Sequence, residues 1–239
     1  MSINFLTYGS HLNYIDAANR LCYQANNLNI FNNIYNYSLN DLNNDKIFWD
    51  RHETFIENNK RGGGYWLWKP YIIHKTIEKL QDGDLLLYLD CGCEIIAEEK
   101  QNMLENIDNV KKYKLLTTFA EKSNEYMYTK MDLIHKLNMI NNTKELEMLQ
   151  IQAGVIFLEV SQPLKNIIKE WYELASDYHN IDDSPSIIPN NNTYIEHRHD
   201  QSIFSLLIKK NKLYQKCVSS YTILCIKYAR NISAISYYY

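Results

Sequence analysis

The apolar run Leu85 to Leu89, set between Asp84 and Asp90, constrains this chain more than any other feature. Its residues do not alternate with polar ones, so they describe a strand covered on both faces, as in a sheet sandwiched between helices. "INFLTY" (3–8), "KLLTTFA" (114–120) and "IQAGVIFLEV" (151–160) are of the same kind, and residues 29–38 supply a further strand. Between them lie stretches of helical period. Residues 11–26 place Leu12, Ile15, Ala18, Leu21 and Cys22 on one face, residues 48–59 form a short helix, and Pro70 opens a helix that ends at Asp82-Gly83. Residues 126–139 and 143–149 are expected to be helical, as are 161–178, with Ser161 as cap, and 199–210. Residues 180–196, with Pro185, Pro189 and an Asn run, read as a loop, and the tail from Leu213 to Tyr239 fits no period. Strands alternating with helices and no internal repeat predict an α/β fold, a largely parallel sheet with helices on both faces. No linker divides the chain, so residues 1–239 are expected to form a single domain, with 213–239 unassigned.

Composition narrows the function classes. Of 239 residues, 46% are apolar, enough for a sizeable core, and the formal net charge of −3 announces no nucleic-acid surface. "MSINFLTYGS" lacks the basic start and apolar region of a signal peptide, and no apolar run is long enough to span a bilayer. The expectation is a cytoplasmic protein with no nucleic-acid partner, no membrane span and five reduced cysteines. Cys91 and Cys93 have no second Cys or His pair at a matching distance, which favours buried thiols over a soft-metal site.

Three segments carry titratable or ligand-facing residues. In an open α/β sheet, ligands bind at the carboxyl ends of the strands, where Asp90 stands. An unpaired carboxylate there is costly in the core, so Asp90 either faces a cleft or caps a turn, and position alone weighs the two equally. Gly92 permits close approach to the backbone, and Glu94 is near enough to add a second carboxylate. In "RGGGYWLWK" (61–69), Arg61 and Lys69 bracket three glycines with positive charge, and Lys69 lies at a helix start, a setting that suits a diphosphate. Tyr65, Trp66 and Trp68 offer stacking faces, although single aromatics are more often core. In "EHRHDQS" (196–202), Asp200 either caps the helix or faces the cleft together with Gln201.

Taken in order, Lys69-Pro70, "YLDCGCE", "QAGVIFLEVSQPLKNIIKEW" and "HRHDQSIFSLL" resemble the nucleotide-sugar glycosyltransferases of the GT-A fold. The likeness is to small glycosyltransferase-like proteins of large DNA viruses and bacterial surface-glycan clusters, and more distantly to α-galactosyl and xylosyl transferases. It covers roughly residues 1–210, and no single motif is specific. The resemblance implies a GT-A (Rossmann-like) sheet and transfer of a sugar, hexosyl or deoxyhexosyl, from a nucleotide-sugar donor to a glycan or other hydroxyl acceptor. A UDP-sugar is the expected donor and Mn²⁺ or Mg²⁺ the expected cofactor. Asp90 matches the first aspartate of "D-x-D", but the third position is Gly92, so the implied metal positions are Asp90, the place of Gly92, and His199. Donor contacts would come from Thr7, Tyr8, Gly9, Arg61, Tyr65, Trp68, Lys69, Asp90, Cys91, Gly92, Asp200 and Gln201. Gln152, Ala153 and Gly154 would line the acceptor side of the same pocket. Asp90 and Asp200 are the catalytic candidates, with Asp200, Glu196 and Glu94 as alternatives for the base. A non-catalytic nucleotide- or sugar-binding module on this fold is the alternative function. A nucleotidyltransferase or a dinucleotide-dependent oxidoreductase is a third, the latter disfavoured because only Gly9 follows the first strand.

Overall fold

The computed structural model describes residues 1–219 and 222–237. Eight strands are defined: β1 (Ile3–Gly9), β2 (Asn33–Ser38), β3 (Leu85–Leu89), β4 (Glu94–Ile95), β5 (Leu115–Asn124), β6 (Leu149–Glu159), β7 (Cys217–Ser219) and β8 (Ile226–Lys227). Six form one sheet in the order β2-β1-β3-β6-β5-β7, and β4 pairs with β8 in a separate ribbon. β1 is parallel to β2 and β3, β6 runs against both β3 and β5, and β7 is parallel to β5. The expected α/β fold with a mostly parallel sheet is present, and β6 is its reversed strand.

The longer helices are α1 (Asn13–Asn27), α2 (Lys46–Asn58), α3 (Trp68–Ile77), α4 (Lys100–Tyr113), α5 (Gln162–Ser176) and α6 (His199–Lys210). β3 shows why the sheet needs cover on both sides. Leu86 and Tyr88 pack into one core with residues of α3, α5 and α6, while Leu85, Leu87 and Leu89 pack into the other with residues of α1 and α4. All five are buried, and each leucine removed from water contributes roughly 2 kcal/mol.

Two helices differ from expectation in detail. Leu12 and Ile15 of the anticipated apolar face are exposed, and the buried face of α1 carries Ala17, Ala18, Arg20, Leu21 and Ala25. The shift turns Arg20 inward, where it meets main-chain carbonyls. Ser161 precedes α5 without a side-chain capping bond.

The glycine segment is more ordered than a flexible loop. Gly62, Gly63, Gly64, Tyr65 and Trp66 all have positive φ (59°, 60°, 85°, 53° and 61°), a left-handed turn. That conformation costs an ordinary residue roughly 1–2 kcal/mol, which explains glycine at the first three positions. Trp68 Nε1 closes the turn by donating to the Gly62 carbonyl at 2.9 Å, and α3 follows.

Candidate functional site

A cleft of about 1270 Å³ opens where β1 and β3 end, lined among others by Tyr8, Trp68, Asp90, Gly154 and Gln201. Asp90 follows the last residue of β3, and its side chain is 42% exposed. This is the cleft-facing alternative for Asp90, and two neighbours hold it there. Tyr88 lies two residues back on the same strand face and donates its hydroxyl to Asp90 Oδ1 at 2.6 Å. Lys69 Nζ lies 3.2 Å from the same oxygen and 2.9 Å from Asp200 Oδ2. Three residues from three sequence segments therefore converge. α3 brings Lys69, the end of β3 brings Asp90, and the first turn of α6 brings Asp200.

Lys69 and Asp200 are buried, Asp90 is not. Burial alone would lower the proton affinity of Lys69, but Asp200 and Asp90 outweigh it and raise it. Burial pushes the Asp200 carboxyl up to about 6 against the pull of Lys69, and the charge of Asp90 pushes the same way. The Tyr88 hydroxyl is raised by burial and by Asp90, so it stays a donor. Of this trio the cleft sees one carboxylate, Asp90, backed by an interior Lys–Asp pair that fixes its position, and Glu121 lies elsewhere on the cleft lining.

Around Asp90 the walls are shaped for approach. A Cβ on Gly154 would lie 2.9 Å from Asp90 Oδ2, so any side chain there would press on the carboxylate. Tyr8 stacks on Trp68 with ring centroids 3.9 Å apart, giving the cleft an aromatic wall with Trp66 beside it. Gln152 and Gln201 add amide groups.

Other anticipated residues fall elsewhere. Thr7 is buried in the sheet, donating to the Leu89 carbonyl at 2.9 Å. Gly9 lies against the start of α1, where a Cβ would come 2.4 Å from the Tyr14 carbonyl oxygen. Ala153 points into the core, as strand alternation requires between Gln152 and Gly154. Tyr65 is buried and stacks on His199 at 4.7 Å. Arg61 pairs with Asp183 at 3.3 Å and Glu196 at 3.9 Å, and neither Arg61 nor Glu196 lines the cleft. Glu94 is buried and accepts from Asn231 Nδ2 at 2.6 Å, the Ser236 hydroxyl and the Tyr237 amide, so it serves packing of the tail. Of the three base candidates, Glu94 and Glu196 lie outside the cleft, and Asp200 lies behind Lys69.

Sequence reasoning missed the opposite wall. Residues of 223–232, including Ile226, Lys227, Tyr228 and Arg230, line the cleft, and so do Lys60, His11 and Tyr14. The period-two spacing of Tyr88 and Asp90 was a signal that the two share a strand face. Nothing comparable marked the tail.

The residues do not fit the divalent-cation site that the resemblance implies. Asp90 Oδ1 already faces the Tyr88 hydroxyl and the Lys69 ammonium. Gly92 has no side chain, and its carbonyl accepts from the Asn231 amide at 3.0 Å. The Cys91 carbonyl accepts from Arg20 at 2.9 Å, and burial raises the Cys91 thiol to about 12. His199 Nδ1 lies 2.8 Å from the Ile181 carbonyl oxygen, beneath Tyr65 and Trp66. Among the described residues no three His, Cys, Asp or Glu side chains gather as a metal site would need. No helix among them is long and apolar enough to cross a membrane.

No family model and no curated protein sequence matches the chain. Solved structures similar to it include a glycosyltransferase involved in glycosylation of the major capsid of PBCV-1, at 13% identity over 82% of this chain and 81% of that chain, TM-score 0.44. Mouse xyloside xylosyltransferase 1 in its apo form matches at 11% identity over 91% of this chain and 84% of that chain, TM-score 0.47. The galactosyltransferase LgtC, in complex with donor and acceptor sugar analogs, matches at 14% identity over 90% of this chain and 72% of that chain, TM-score 0.43. At such identities and TM-scores the function must be argued from the site itself.

Proposed function

We propose that this chain transfers a sugar from a nucleotide sugar, with UDP as the expected carrier, to a hydroxyl acceptor. The observation that carries the reading is the convergence of Lys69, Asp90 and Asp200 at a strand end, with only Asp90 open to a cleft of about 1270 Å³. A cleft of that size takes a nucleotide and a sugar together. The stacked Tyr8–Trp68 pair offers an aromatic face to the base, and Gln152 and Gln201 offer amides to sugar hydroxyls.

In the transfer, the bond from the anomeric carbon to the diphosphate oxygen breaks. The nucleoside diphosphate leaves with the electron pair, a bond to the acceptor oxygen forms, and the acceptor proton passes to the departing diphosphate. Positive charge grows on the sugar as the leaving group separates, and a fixed carboxylate nearby stabilises it. Asp90 suits that role because Tyr88 and Lys69 hold it in place before substrate arrives, so little reorganisation is required. Asp200 is a positioning residue that acts through Lys69.

The test is direct. Saturating UDP, at about 100 times its Kd, is expected to stabilise the fold by roughly 2.7 kcal/mol and raise Tm by roughly 5–10 °C. With the correct UDP-sugar, Asp90→Asn is expected to lower kcat by roughly 100-fold or more at nearly unchanged Tm. An Asp90→Asn protein that unfolds would restore the turn-cap role. Nucleotide binding without transfer or slow release of free sugar would favour the binding-module reading, which the lone accessible carboxylate of the triad motivates.

A further inference from the structure

The third position of the "D-C-G" strand end has a use other than holding a metal. The Gly92 carbonyl accepts from the Asn231 amide at 3.0 Å, and a Cβ on Gly92 would lie 3.3 Å from Arg230 Cα. Glycine is therefore what lets residues 230–231 lie flat on the turn that follows Asp90. Two buried charged groups secure the contact. Arg20 Nη2 donates to the carbonyls of Cys91 and Cys93 at 2.9 and 2.8 Å, while its Nη1 donates to those of Asn231 and Ser233 at 3.1 and 2.9 Å. Glu94 receives the Asn231 amide group and the Tyr237 N–H on the same stretch. β8 pairs with β4 just upstream, so Lys227 sits opposite Glu94 in register.

This docking sets Arg230 and Lys227 on the cleft wall. Both are exposed, as is Lys60 ahead of the glycine turn, which lines the same cleft. None of the three has an ion-pair partner among the described residues, whereas Lys69 is buried and committed to two carboxylates. Asp90 and Glu121 also line this cleft, but three cations without an ion-pair partner among the described residues outnumber them, and with no cation cage there the cleft is suited to an anion.

We propose that the strap of residues 226–232, and not a divalent cation, supplies the positive charge that a nucleoside diphosphate meets in this cleft. Arg230 and Lys227, joined by Lys60, hold the two phosphates, and Gly92 sets the height of the strap. The proposal rests on the nucleotide-sugar reading, but it fails separately from it.

Isothermal titration of UDP, GDP and dTDP into the full chain decides the matter, first in EDTA and then with excess Mn²⁺. At least one diphosphate is expected to bind in EDTA, with Mn²⁺ changing its Kd by less than roughly threefold. Arg230→Gln, at an exposed position, is expected to weaken that binding about tenfold. The parent nucleoside, lacking phosphates, is expected to bind both proteins alike. Gly92→Ala keeps every charge and is expected to weaken the diphosphate by displacing Arg230. Circular dichroism checks that each variant is folded, and Lys227→Gln replaces any that is not. Binding that requires Mn²⁺, or an Arg230→Gln protein that binds as the parent does, overturns the strap and leaves the nucleotide reading standing. No diphosphate binding in either buffer overturns both.

Discussion

Lys69 Nζ stands between Asp200 Oδ2 at 2.9 Å and Asp90 Oδ1 at 3.2 Å, with Tyr88 and Trp68 ring centroids within about 6 Å. Desolvation of the ammonium is offset here by two carboxylates, so its loss is felt as charge more than as volume. Lys69→Met leaves Asp200 buried without its counter-charge, and a broken buried pair of this kind costs roughly 3–5 kcal/mol. Neutralising the orphan as well, in Lys69→Met/Asp200→Asn, is expected to recover more than half of that loss. Urea denaturation of the parent, both single variants and the double variant closes the cycle. Additive losses would mean that the two side chains act independently, contrary to the contact seen. The same three residues were legible in the sequence because each sits at the end or start of a regular element. Thr7, Ala153 and Tyr65 were misplaced for a reason equally simple. A strand shows alternate faces, so a residue beside a cleft-facing one points inward, and the left-handed turn at 62–66 buries Tyr65 against His199 while Trp66 reaches the cleft.

At the scale of the element, the glycine turn and the reversed strand show where periodicity stops informing. Three consecutive glycines signal unusual backbone but not its hand. Two substitutions separate backbone strain from crowding. Gly83 has φ +88° and open space around its missing Cβ, so Gly83→Ala is expected to cost only the strain, roughly 1–2 kcal/mol. Gly64 has φ +85°, but its Cβ would fall 2.8 Å from Ile56 Cγ1 on α2, so Gly64→Ala is expected to cost at least about 1 kcal/mol more. Equal losses in thermal unfolding would show that Ile56 simply moves aside. The long strands and α6, which spans residues 199–210 as its period predicts, were readable because burial imposes a pattern over many residues. The direction of β6 was not, because a run buried on both faces looks the same in a parallel or antiparallel neighbour. β7 and β8 have three and two residues, too few for any period to show.

At the scale of the whole molecule, Arg20 connects parts of the chain more than 200 residues apart. It is buried on α1 and donates to four carbonyls, two on the turn after β3, one on the strap at Asn231 and one just beyond it at Ser233. Burial lowers its proton affinity while Glu94 opposes that shift, so the ion is held by its surroundings rather than by water. The strap has little else of regular structure: a two-residue strand and the Glu94 contacts. The sheet, in contrast, has two apolar cores that do not involve Arg20 directly. Replacing Arg20 with methionine keeps an unbranched stem and removes every donor. The expected loss is about 3 kcal/mol, or roughly 6–12 °C in Tm, typical of hydrogen bonds to a charged group lost in a domain of this size. It is expected to be local. Amide exchange of residues 223–237 rises to the fast, low-protection end, while β1, β3 and β6 keep the protection of the core. Uniform acceleration across the sheet would instead make Arg20 a support of the fold as a whole. Unchanged exchange in the strap would show that β8 and Glu94 suffice to hold it. Only the local outcome leaves the strap as a wall that depends on one buried ion and can be loosened without dissolving the site behind it.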